Sequence, residues 1–262
     1  MTKIAVAGAM GRMGSRIAAL STEYENIELA GALERKGHPE AGREVYPSVK
    51  LTDDVLEALA QADVLIDFTQ PDSTLSNLRA CAEAGKAMVI GTTGFAAAQM
   101  EEVKRLAAWL PLVMAANMSM GINLLLKVVS MIAKSLGDDY DVEIIEAHHR
   151  FKKDSPSGTA LKLAQAAAAG LNRDLDDVAV YARHGMTGER TSREIGIQAI
   201  RAGDIVGEHT VLFGGLGERI EVTHKASSRD TFARGAIRAA LWLQGKNKKP
   251  GLYDMQDVLG LK

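Results

Sequence analysis

The stretch Ile4-Ala-Val-Ala-Gly-Ala-Met-Gly-Arg-Met-Gly14 decides the fold of this chain. Its first four residues are apolar and predict a short strand, and apolar positions at Ile17, Ala18 and Leu20 predict a helix after the glycines. A strand, a glycine-rich turn and a helix in this order are typical of a dinucleotide-binding unit. The spacing GxxGxxG departs from the commoner GxGxxG, so the prediction rests on the strand and helix around the glycines.

An acidic residue stands where such a unit binds the adenosine ribose. The segment 27–33 predicts the next strand, and Glu34 follows it, 20 positions beyond Gly14. Arg35 comes next, and a guanidinium there can clamp a 2′-phosphate. The pair therefore predicts binding of NADH through Glu34 and of NADPH through Arg35. The alternative interpretation is an exposed ion pair in a loop.

Strands and helices alternate as far as residue 115. Helices are predicted over 52–60, 73–84 and 96–108, and strands over 64–68, 87–90 and 112–115. Thr52 and Asp53 can cap the first of these helices. Gly91-Thr-Thr-Gly94 follows a strand, at the edge where open α/β sheets bind ligands. The pattern predicts an open, doubly wound parallel sheet.

The chain then changes its pattern. A helix (122–136), a strand from Asp141 and a helix (157–171) precede strands 195–201, 207–213 and 218–225, which have no helix between them. Because glycine-bearing turns join these three strands, we expect them to be antiparallel. A final amphipathic helix begins at Ser227-Ser-Arg-Asp, and the basic segment 246–250 is expected to lie in solvent.

The stretch Glu146-Ala-His-His-Arg-Phe-Lys-Lys-Asp-Ser-Pro-Ser-Gly-Thr-Ala160 predicts a binding site for a small acid with more than one carboxylate. Two imidazoles and three cations precede Ser157-Gly-Thr159, which suits a helix N-terminus, where backbone N–H groups and the helix dipole attract anions. A solvated basic loop before a capped helix is the alternative, and it is favoured for Arg150 or Lys153 taken alone. Adjacent histidines before a glycine-containing cap favour a site.

Composition limits the class of protein. The 262 residues, 47% hydrophobic and 24% charged, suit a globular protein with one large or two modest domains. A formal charge of −2 gives no general attraction to nucleic acid or to an anionic membrane. No apolar run is expected to approach the roughly 20 residues of a membrane span. The single cysteine, Cys81, is expected to be buried and inert, without metal-type spacing, so no metal site is predicted. With no signal peptide, the cytoplasm is the expected location.

Motifs along nearly the whole chain resemble those of the 4-hydroxy-tetrahydrodipicolinate reductase (dihydrodipicolinate reductase) family. They are Val6-Ala-Gly-Ala-Met-Gly-Arg-Met-Gly14, Ala32-Leu-Glu-Arg35, Asp67-Phe-Thr69, Gly91-Thr-Thr-Gly94, Glu146-Ala-His-His-Arg150, Asp154-Ser-Pro-Ser-Gly-Thr-Ala160, Arg201-Ala-Gly-Asp204, Glu208-His-Thr210 and Thr223-His-Lys-Ala-Ser-Ser-Arg229.

The resemblance implies an α/β fold with two domains. A Rossmann-type doubly wound parallel sheet would form the dinucleotide-binding domain, residues 1–118 and 229–262. An inserted α+β domain, residues 119–228, with a mixed and mostly antiparallel sheet, would bind the substrate and build a homotetramer. The implied reaction is the NADH- or NADPH-dependent reduction of 4-hydroxy-tetrahydrodipicolinate, a dicarboxylate, in lysine and diaminopimelate biosynthesis.

The resemblance also implies the site residues. His149 and Lys152 are expected to be catalytic, with Lys152 as proton donor and His149 as a second donor or a stabiliser of the developing enamine. The residues expected to bind the substrate are Thr93, His148, His149, Lys152, Ser157, Gly158 and Thr159. The residues expected to bind the cofactor are Gly8, Gly11, Arg12, Met13, Gly14, Glu34, Arg35, Phe68, Thr69, Gly91, Thr92, Thr93, Ala115, Asn117 and Met118.

Departures from the family pattern bear on the cofactor. Gln70 stands where some members have a basic residue near the cofactor phosphates, and Met118 replaces a phenylalanine. The strength of any preference for NADPH is therefore left open. Phe151-Lys-Lys153 is a variant of the family's linker.

Two other functions fit parts of the sequence. Another small-acid dehydrogenase or imine reductase would share the dinucleotide-binding features but would not need a dicarboxylate clamp. A non-catalytic nicotinamide-binding redox sensor would not need proton donors, yet Lys152 and His149 are both present.

Overall fold

The computed structural model of the protein describes residues 1–245 and 248–262. The chain divides into two compact units, Met1–Met120 with Asp230–Lys262, and Gly121–Arg229. The first unit thus contains both chain ends, and the second is an insertion. The basic segment 246–250, expected to lie in solvent, includes Lys246 and Asn247, which lie outside the described residues.

The regular elements follow one another in chain order. They are β1 (Thr2–Ala7), α1 (Gly14–Ser21), β2 (Ile27–Leu33), β3 (Glu44–Tyr46), β4 (Val49–Thr52), α2 (Val55–Leu59), β5 (Val64–Asp67), α3 (Pro71–Ala84), β6 (Ala87–Ile90), α4 (Ala97–Leu106), β7 (Pro111–Met114), α5 (Met120–Leu136), a short 3₁₀ turn (Gly137–Asp139), β8 (Asp141–His148), α6 (Gly158–Gly170), α7 (Leu175–Val178), β9 (Ala179–Tyr181), β10 (Ile195–Arg201), β11 (Gly207–Gly214), β12 (Arg219–Ala226), α8 (Asp230–Leu243), β13 (Gly251–Tyr253) and α9 (Met255–Leu259).

An eight-stranded sheet forms the centre of the first unit, in the order β13-β7-β6-β5-β1-β2-β4-β3. All neighbours are parallel except β3 and β4. Strands β5 and β6 are buried along their whole length, as parallel strands covered on both faces must be. The predicted open parallel sheet is confirmed, and the short strands β3, β4 and β13 are additions to it.

Alternate residues of β1 supply two separate cores. Ile4 and Val6 face a cluster that includes helix α8, whereas Ala5 and Ala7 face a cluster that contains Cys81. Small residues let α8 lie close to its neighbours: a Cβ on Gly235 would come within 1.7 Å of the Met118 carbonyl oxygen. Cys81 is 0% exposed, as predicted, and burial raises the pKa of its thiol to about 12.

The second unit has a five-stranded sheet in the order β12-β11-β8-β10-β9. Strand β11 is antiparallel to β12 and β8, but β10 is parallel to β8 and β9. The prediction that the three late strands are all antiparallel is therefore wrong for β10. Because β8 lies between β10 and β11, the turn at Gly203 joins strands that are not neighbours, and no hairpin forms there.

One face of this second sheet carries the core of its unit. Val142 and Ile144 of β8 pack with Val211 and Phe213 of β11 against apolar side chains of α5, α6 and α7. On the other face, Ile145 is 36% exposed although it lies in the central strand. Buried and half-buried residues alternate strictly along β11, because successive side chains point to the core face and to the opposite face of the sheet.

Helix α5 is more apolar than expected. The 20-residue segment Met120–Asp139 contains an 18-residue window with a mean hydropathy of 1.4, of which 28% is buried, so by length and composition alone it could cross a membrane. This differs from the expectation that no apolar run approaches that length. Its buried residues Leu125, Val129 and Ala133 belong to the core of the second unit, and a core helix passes the same test.

Two predicted boundaries are wrong. Asp54, rather than Thr52 or Asp53, caps α2, because its carboxylate accepts a hydrogen bond from the Leu56 N–H (2.8 Å). Strand β8 begins at Asp141, as predicted, but continues beyond the apolar segment 141–145, where an end is expected, through His148, because its pairing with β10 extends to Arg201. His148 is therefore held by the sheet.

Candidate functional site

The glycine-rich turn after β1 folds back on its own backbone. Gly8 has φ +66°, in the left-handed region that favours glycine, and its carbonyl accepts the Gly11 N–H at 2.8 Å. A Cβ on Gly14 would lie 2.0 Å from the Gly8 carbonyl oxygen. Only glycine at these positions allows α1 to begin beside the end of β1, which is how such units bind a pyrophosphate at a helix N-terminus.

Glu34 lies beside this turn. Its Oε1 accepts the Met10 N–H at 3.1 Å and its Oε2 accepts the Arg35 N–H at 3.2 Å. The Arg35 side chain is exposed and forms no ion pair with Glu34 in the part of the chain that the structure describes. The exposed-pair interpretation therefore fails, because Glu34 is half-buried beside the turn and the exposed Arg35 side chain does not pair with it.

A buried polar network holds the ends of β5 and β6. Asp67, 0% exposed, accepts hydrogen bonds at Oδ1 from the Thr69 N–H (2.9 Å) and hydroxyl (2.7 Å), and at Oδ2 from Asn77 Nδ2 (2.8 Å). The Thr74 hydroxyl bonds to the same carboxylate (3.1 Å) and to the Thr92 hydroxyl (2.8 Å). The network fixes the two loops in which Thr69 and Thr92 are expected to contact the cofactor.

The Phe68 ring packs closely on the Gly91 backbone at the ends of β5 and β6. A Cβ on Gly91 would lie 2.1 Å from the Phe68 ring, so that ring rests directly on the glycine backbone. Thr93 and Gly94 are exposed next to it. The exposed turn, the acidic residue beside it and this glycine-lined edge all fit a bound dinucleotide.

The remaining predicted cofactor residues differ in exposure. Arg12 is exposed, while Met13 and Ala115 are half-buried. Asn117 Oδ1 accepts the Ser119 N–H at 2.9 Å. Met118 is 1% exposed and packs in the core beside α8, so its side chain faces away from solvent.

In the second unit the candidate site is built around Glu146. This carboxylate, 0% exposed, receives both terminal nitrogens of Arg201 at 2.8 Å each, a bidentate ion pair. Its Oε2 also lies 2.6 Å from His148 Nδ1, and its Oε1 accepts the Ser157 N–H at 3.0 Å. One carboxylate therefore joins two strands to the loop before α6.

Ser157 caps helix α6, as its hydroxyl accepts the Ala160 N–H at 3.1 Å. The same hydroxyl lies 3.1 Å from Nε2 of His209, a buried residue of β11. Gly158 is exposed and Thr159 is half-buried. The first turn of α6 is thus held from behind by buried groups, with its glycine facing solvent.

His149 and Lys152 follow the end of β8. The His149 N–H donates to the Ile205 carbonyl at 2.7 Å, and its buried Nδ1 has no hydrogen-bond partner among the described residues. Lys152 Nζ donates to both carboxylate oxygens of Asp154, at 2.9 and 2.8 Å. That hydrogen bond from Lys152 is the main reason why the pKa of Asp154 lies below its ordinary value.

Burial and pairing oppose each other in the electrostatics of this site. Burial alone would raise the pKa of Glu146, but the hydrogen bonds from Arg201, His148 and Ser157 outweigh it and the pKa is lowered. Burial lowers the pKa of His148 despite the neighbouring Glu146. Burial, and then the nearby His148, lower the pKa of His209 to about 4. Both imidazoles are therefore neutral at pH 7, and His148 donates its Nδ1 proton to Glu146.

The structure adds supporting residues that the sequence did not single out as site residues. They are Asp67, Glu146, Arg201 and His209. All four stand in or beside the quoted motifs, but only strand register shows that Arg201 lies opposite His148 and that His209 lies opposite Glu146. Thr93 belongs to the first unit and the other expected substrate-binding residues to the second. No group of three or more His, Cys, Asp or Glu residues that could hold a metal ion occurs in residues 1–245 and 248–262.

Comparison with known proteins covers both units. The family description "Dihydrodipicolinate reductase, N-terminus" matches residues 2–118, and "Dihydrodipicolinate reductase, C-terminus" matches residues 121–259. The 4-hydroxy-tetrahydrodipicolinate reductases of Syntrophobacter fumaroxidans and Geotalea daltonii are 57% and 54% identical, over 100% of both chains in each case. A dipicolinate-bound dihydrodipicolinate reductase from Paenisporosarcina sp. TG-14 has a similar structure, with a TM-score of 0.80 and 26% identity over 98% of each chain.

The neutral state of His209 makes stability depend on pH. An imidazole in the unfolded chain titrates near 6.5, against about 4 in the fold. The unfolded state therefore binds more protons between these values, and the free energy of unfolding falls as the pH drops through that window. Between pH 7 and pH 5 we expect the wild type to lose about 2 kcal/mol more than His209→Gln, by chemical denaturation. His184→Gln, at an exposed position of the same unit, is measured as the control for a histidine substitution. Equal pH dependence in the wild type and His209→Gln would contradict the assignment.

Proposed function

Because the chain belongs to the dihydrodipicolinate reductase family, we infer that it reduces 4-hydroxy-tetrahydrodipicolinate to tetrahydrodipicolinate with a nicotinamide nucleotide. The reaction is a step of lysine and diaminopimelate biosynthesis. The family match carries this conclusion, since full-length relatives with this activity are 57% and 54% identical. An assay of nucleotide oxidation with the cyclic imine, against linear amino and keto acids as controls, tests it.

We propose that the first unit binds the nucleotide along the carboxyl edge of its sheet. The turn at Gly8, Gly11 and Gly14 would hold the pyrophosphate, and Glu34 the adenosine ribose. Gly91 and Thr92 would lie next to the nicotinamide. When bound, the reduced nicotinamide supplies a hydride. The support for this proposal is the pair of glycine positions at which a Cβ would collide with the Gly8 carbonyl or the Phe68 ring.

The second unit would bind the dicarboxylate. The first turn of α6, at Gly158 and Thr159, would hold one carboxylate at the positive end of the helix, and the cation of Lys152 would attract the other. What supports this is the capped helix start, which Glu146 and His209 hold from behind through Ser157. A preformed site of this kind would fix the orientation of the substrate ring without further ordering of the helix.

After hydride transfer the substrate ring carries negative charge, which an acid must neutralise by donating a proton. Lys152 and His149 are the donors that the sequence predicts, and both follow the end of β8. His148 is a third candidate, because a carboxylate already orients its imidazole, as the base in a catalytic triad is oriented. The negative charge of a bound dicarboxylate would raise the pKa of nearby imidazoles and so favour their acid form.

Both NADPH and NADH are proposed cofactors. The exposed guanidinium of Arg35 would bind the 2′-phosphate of NADPH, and the Glu34 carboxylate the free ribose hydroxyls of NADH.

We also propose that the enzyme is a homotetramer that works in the cytoplasm. Ile145 and Ile200 are 36% and 47% exposed on the face of the second sheet opposite its core. Contact with another copy of the chain would bury them. A single, fully buried cysteine suits a reducing compartment.

Substitution of the proton donors separates their roles. We expect Lys152→Ala and His149→Gln each to lower kcat by about 10²-fold or more, because proton donation contributes about 10²–10⁴ in rate. The dissociation constant of the nucleotide should stay nearly unchanged in both variants. His148→Gln is measured beside them, and a larger loss of kcat there than in His149→Gln would move the donor role to His148. Unchanged kcat with weakened nucleotide binding would contradict the assignment of Lys152 and His149.

Cofactor choice is tested at Arg35. We expect Arg35→Ala to weaken NADPH binding by about tenfold or more, through loss of a charge-assisted hydrogen bond to phosphate, and to change NADH binding little. Calorimetric titration with each nucleotide measures both effects. Arg43→Ala, which removes another exposed arginine of the first unit, is the control. Equal losses for the two nucleotides would remove Arg35 from this role.

The proposed tetramer is tested by substitution on the face of the second sheet that carries Ile145 and Ile200. We expect the wild type to sediment as a tetramer and Ile145→Lys to dissociate at the same concentration, because a charge would have to be buried in the contact. Leu56→Lys places the same charge on an exposed apolar position of α2, 55% exposed, and should leave the assembly intact. A wild-type monomer, or an intact Ile145→Lys tetramer, would refute this interface.

A further inference from the structure

Asp67 is a buried carboxylate without a cation. It is 0% exposed at the last position of β5, where it pairs in register with Ala7 of β1 and Ile90 of β6. In the part of the chain that the structure describes, no lysine, arginine or histidine forms an ion pair or a hydrogen bond with it. Burial of a charge costs free energy, so a buried carboxylate without a neighbouring cation needs an explanation.

Both oxygens of the Asp67 carboxylate accept hydrogen bonds. The Thr69 N–H donates to Oδ1 and Asn77 Nδ2 donates to Oδ2, and these two groups cannot accept a proton in return. Hydroxyls of Thr69, Thr74 and Thr92 complete the shell around Oδ1. The groups that donate to the Asp67 carboxylate are therefore all neutral, and none of them brings a positive charge to it.

The field of this carboxylate acts at the sheet edge where the nicotinamide is proposed to lie. Thr69 and Thr92 hydrogen-bond to Asp67, and Gly91 lies between Thr92 and the last residue of β6. When the reduced ring gives its hydride to the substrate, the C–H bond electrons leave with the hydrogen and the ring gains one positive charge. A fixed negative charge nearby stabilises the charged, oxidised ring and leaves the neutral, reduced ring almost unaffected.

We propose that Asp67 favours the oxidised form of the bound nucleotide, and so strengthens the reduced form as a hydride donor. The inference rests on the proposed nucleotide site and adds to it a residue that tunes the cofactor through the field of its charge. A purely structural role for Asp67, in which it only holds Thr69 and Thr92 in place, would weaken the binding of both redox forms alike. The ratio of the two dissociation constants therefore separates the two roles.

The experiment measures binding, with no turnover. Dissociation constants of NADP⁺ and NADPH, and of NAD⁺ and NADH, are determined by calorimetry on the full-length wild type, Asp67→Asn and Thr74→Val. Thr74→Val removes a hydroxyl from the same network with no change of charge, and serves as the matched control. Asp67→Ser, neutral and smaller, replaces Asp67→Asn if that variant does not fold.

We expect the ratio of the oxidised to the reduced dissociation constant to rise about tenfold in Asp67→Asn and to stay at the wild-type value in Thr74→Val. Equal ratios in Asp67→Asn and the wild type would overturn the inference, and so would an equal rise in Thr74→Val. A wild type that binds none of the four nucleotides would instead refute the proposed function.

Discussion

The buried ion pair of Glu146 with Arg201 is the interaction on which the second unit's site depends. Four donor groups converge on this carboxylate, from the guanidinium, the His148 ring and the Ser157 backbone. A buried pair gains little net stability when desolvation is counted, but removal of one partner leaves an unpaired charge. Its value here is geometric, because β8, β10 and the start of α6 are fixed to one point. The candidate proton donors and the candidate carboxylate site thus share a single anchor.

The first unit uses the same principle with different chemistry. Asp67 joins the loops after β5 and β6 through hydroxyls and amides, whereas Glu146 is neutralised by a guanidinium. The difference suits the two proposed sites. A site for a dianion benefits from a carboxylate whose charge is cancelled, while a site for a ring that becomes positive benefits from one whose hydrogen-bond donors are all neutral. In both units the candidate ligand-binding groups come from strand ends and helix starts, and a buried acid holds them through hydrogen bonds.

Much of the fold and of the candidate sites is predictable from residues that are neighbours in the sequence. The turn from Gly8 to Gly14, the apolar strands of the first sheet and the Ser157 cap are specified by neighbours in sequence, and the structure has all of them. What could not be predicted depends on pairing between distant segments. The parallel alignment of β10 with β8 places Arg201, 55 residues away, against Glu146, and no periodicity encodes that register. The hydroxyl of Thr52 predicts a helix cap, because hydroxyls favour caps, but pairing with Leu33 makes this residue the end of a strand.

The discontinuity of the first unit has a consequence for the order in which the chain folds as it is synthesised. Helix α8 supplies Ala233, Ala236 and Ile237 to the core that lies against β1, yet it leaves the ribosome only after the entire insertion has emerged. Until then, the core around Ile4 and Val6 lacks the part that α8 supplies. The inserted unit, continuous in sequence, can therefore reach its native state while the segment before it is still incomplete. A nascent chain stalled before α8 would leave part of this apolar core uncovered, and uncovered apolar surface of this kind favours aggregation and chaperone binding.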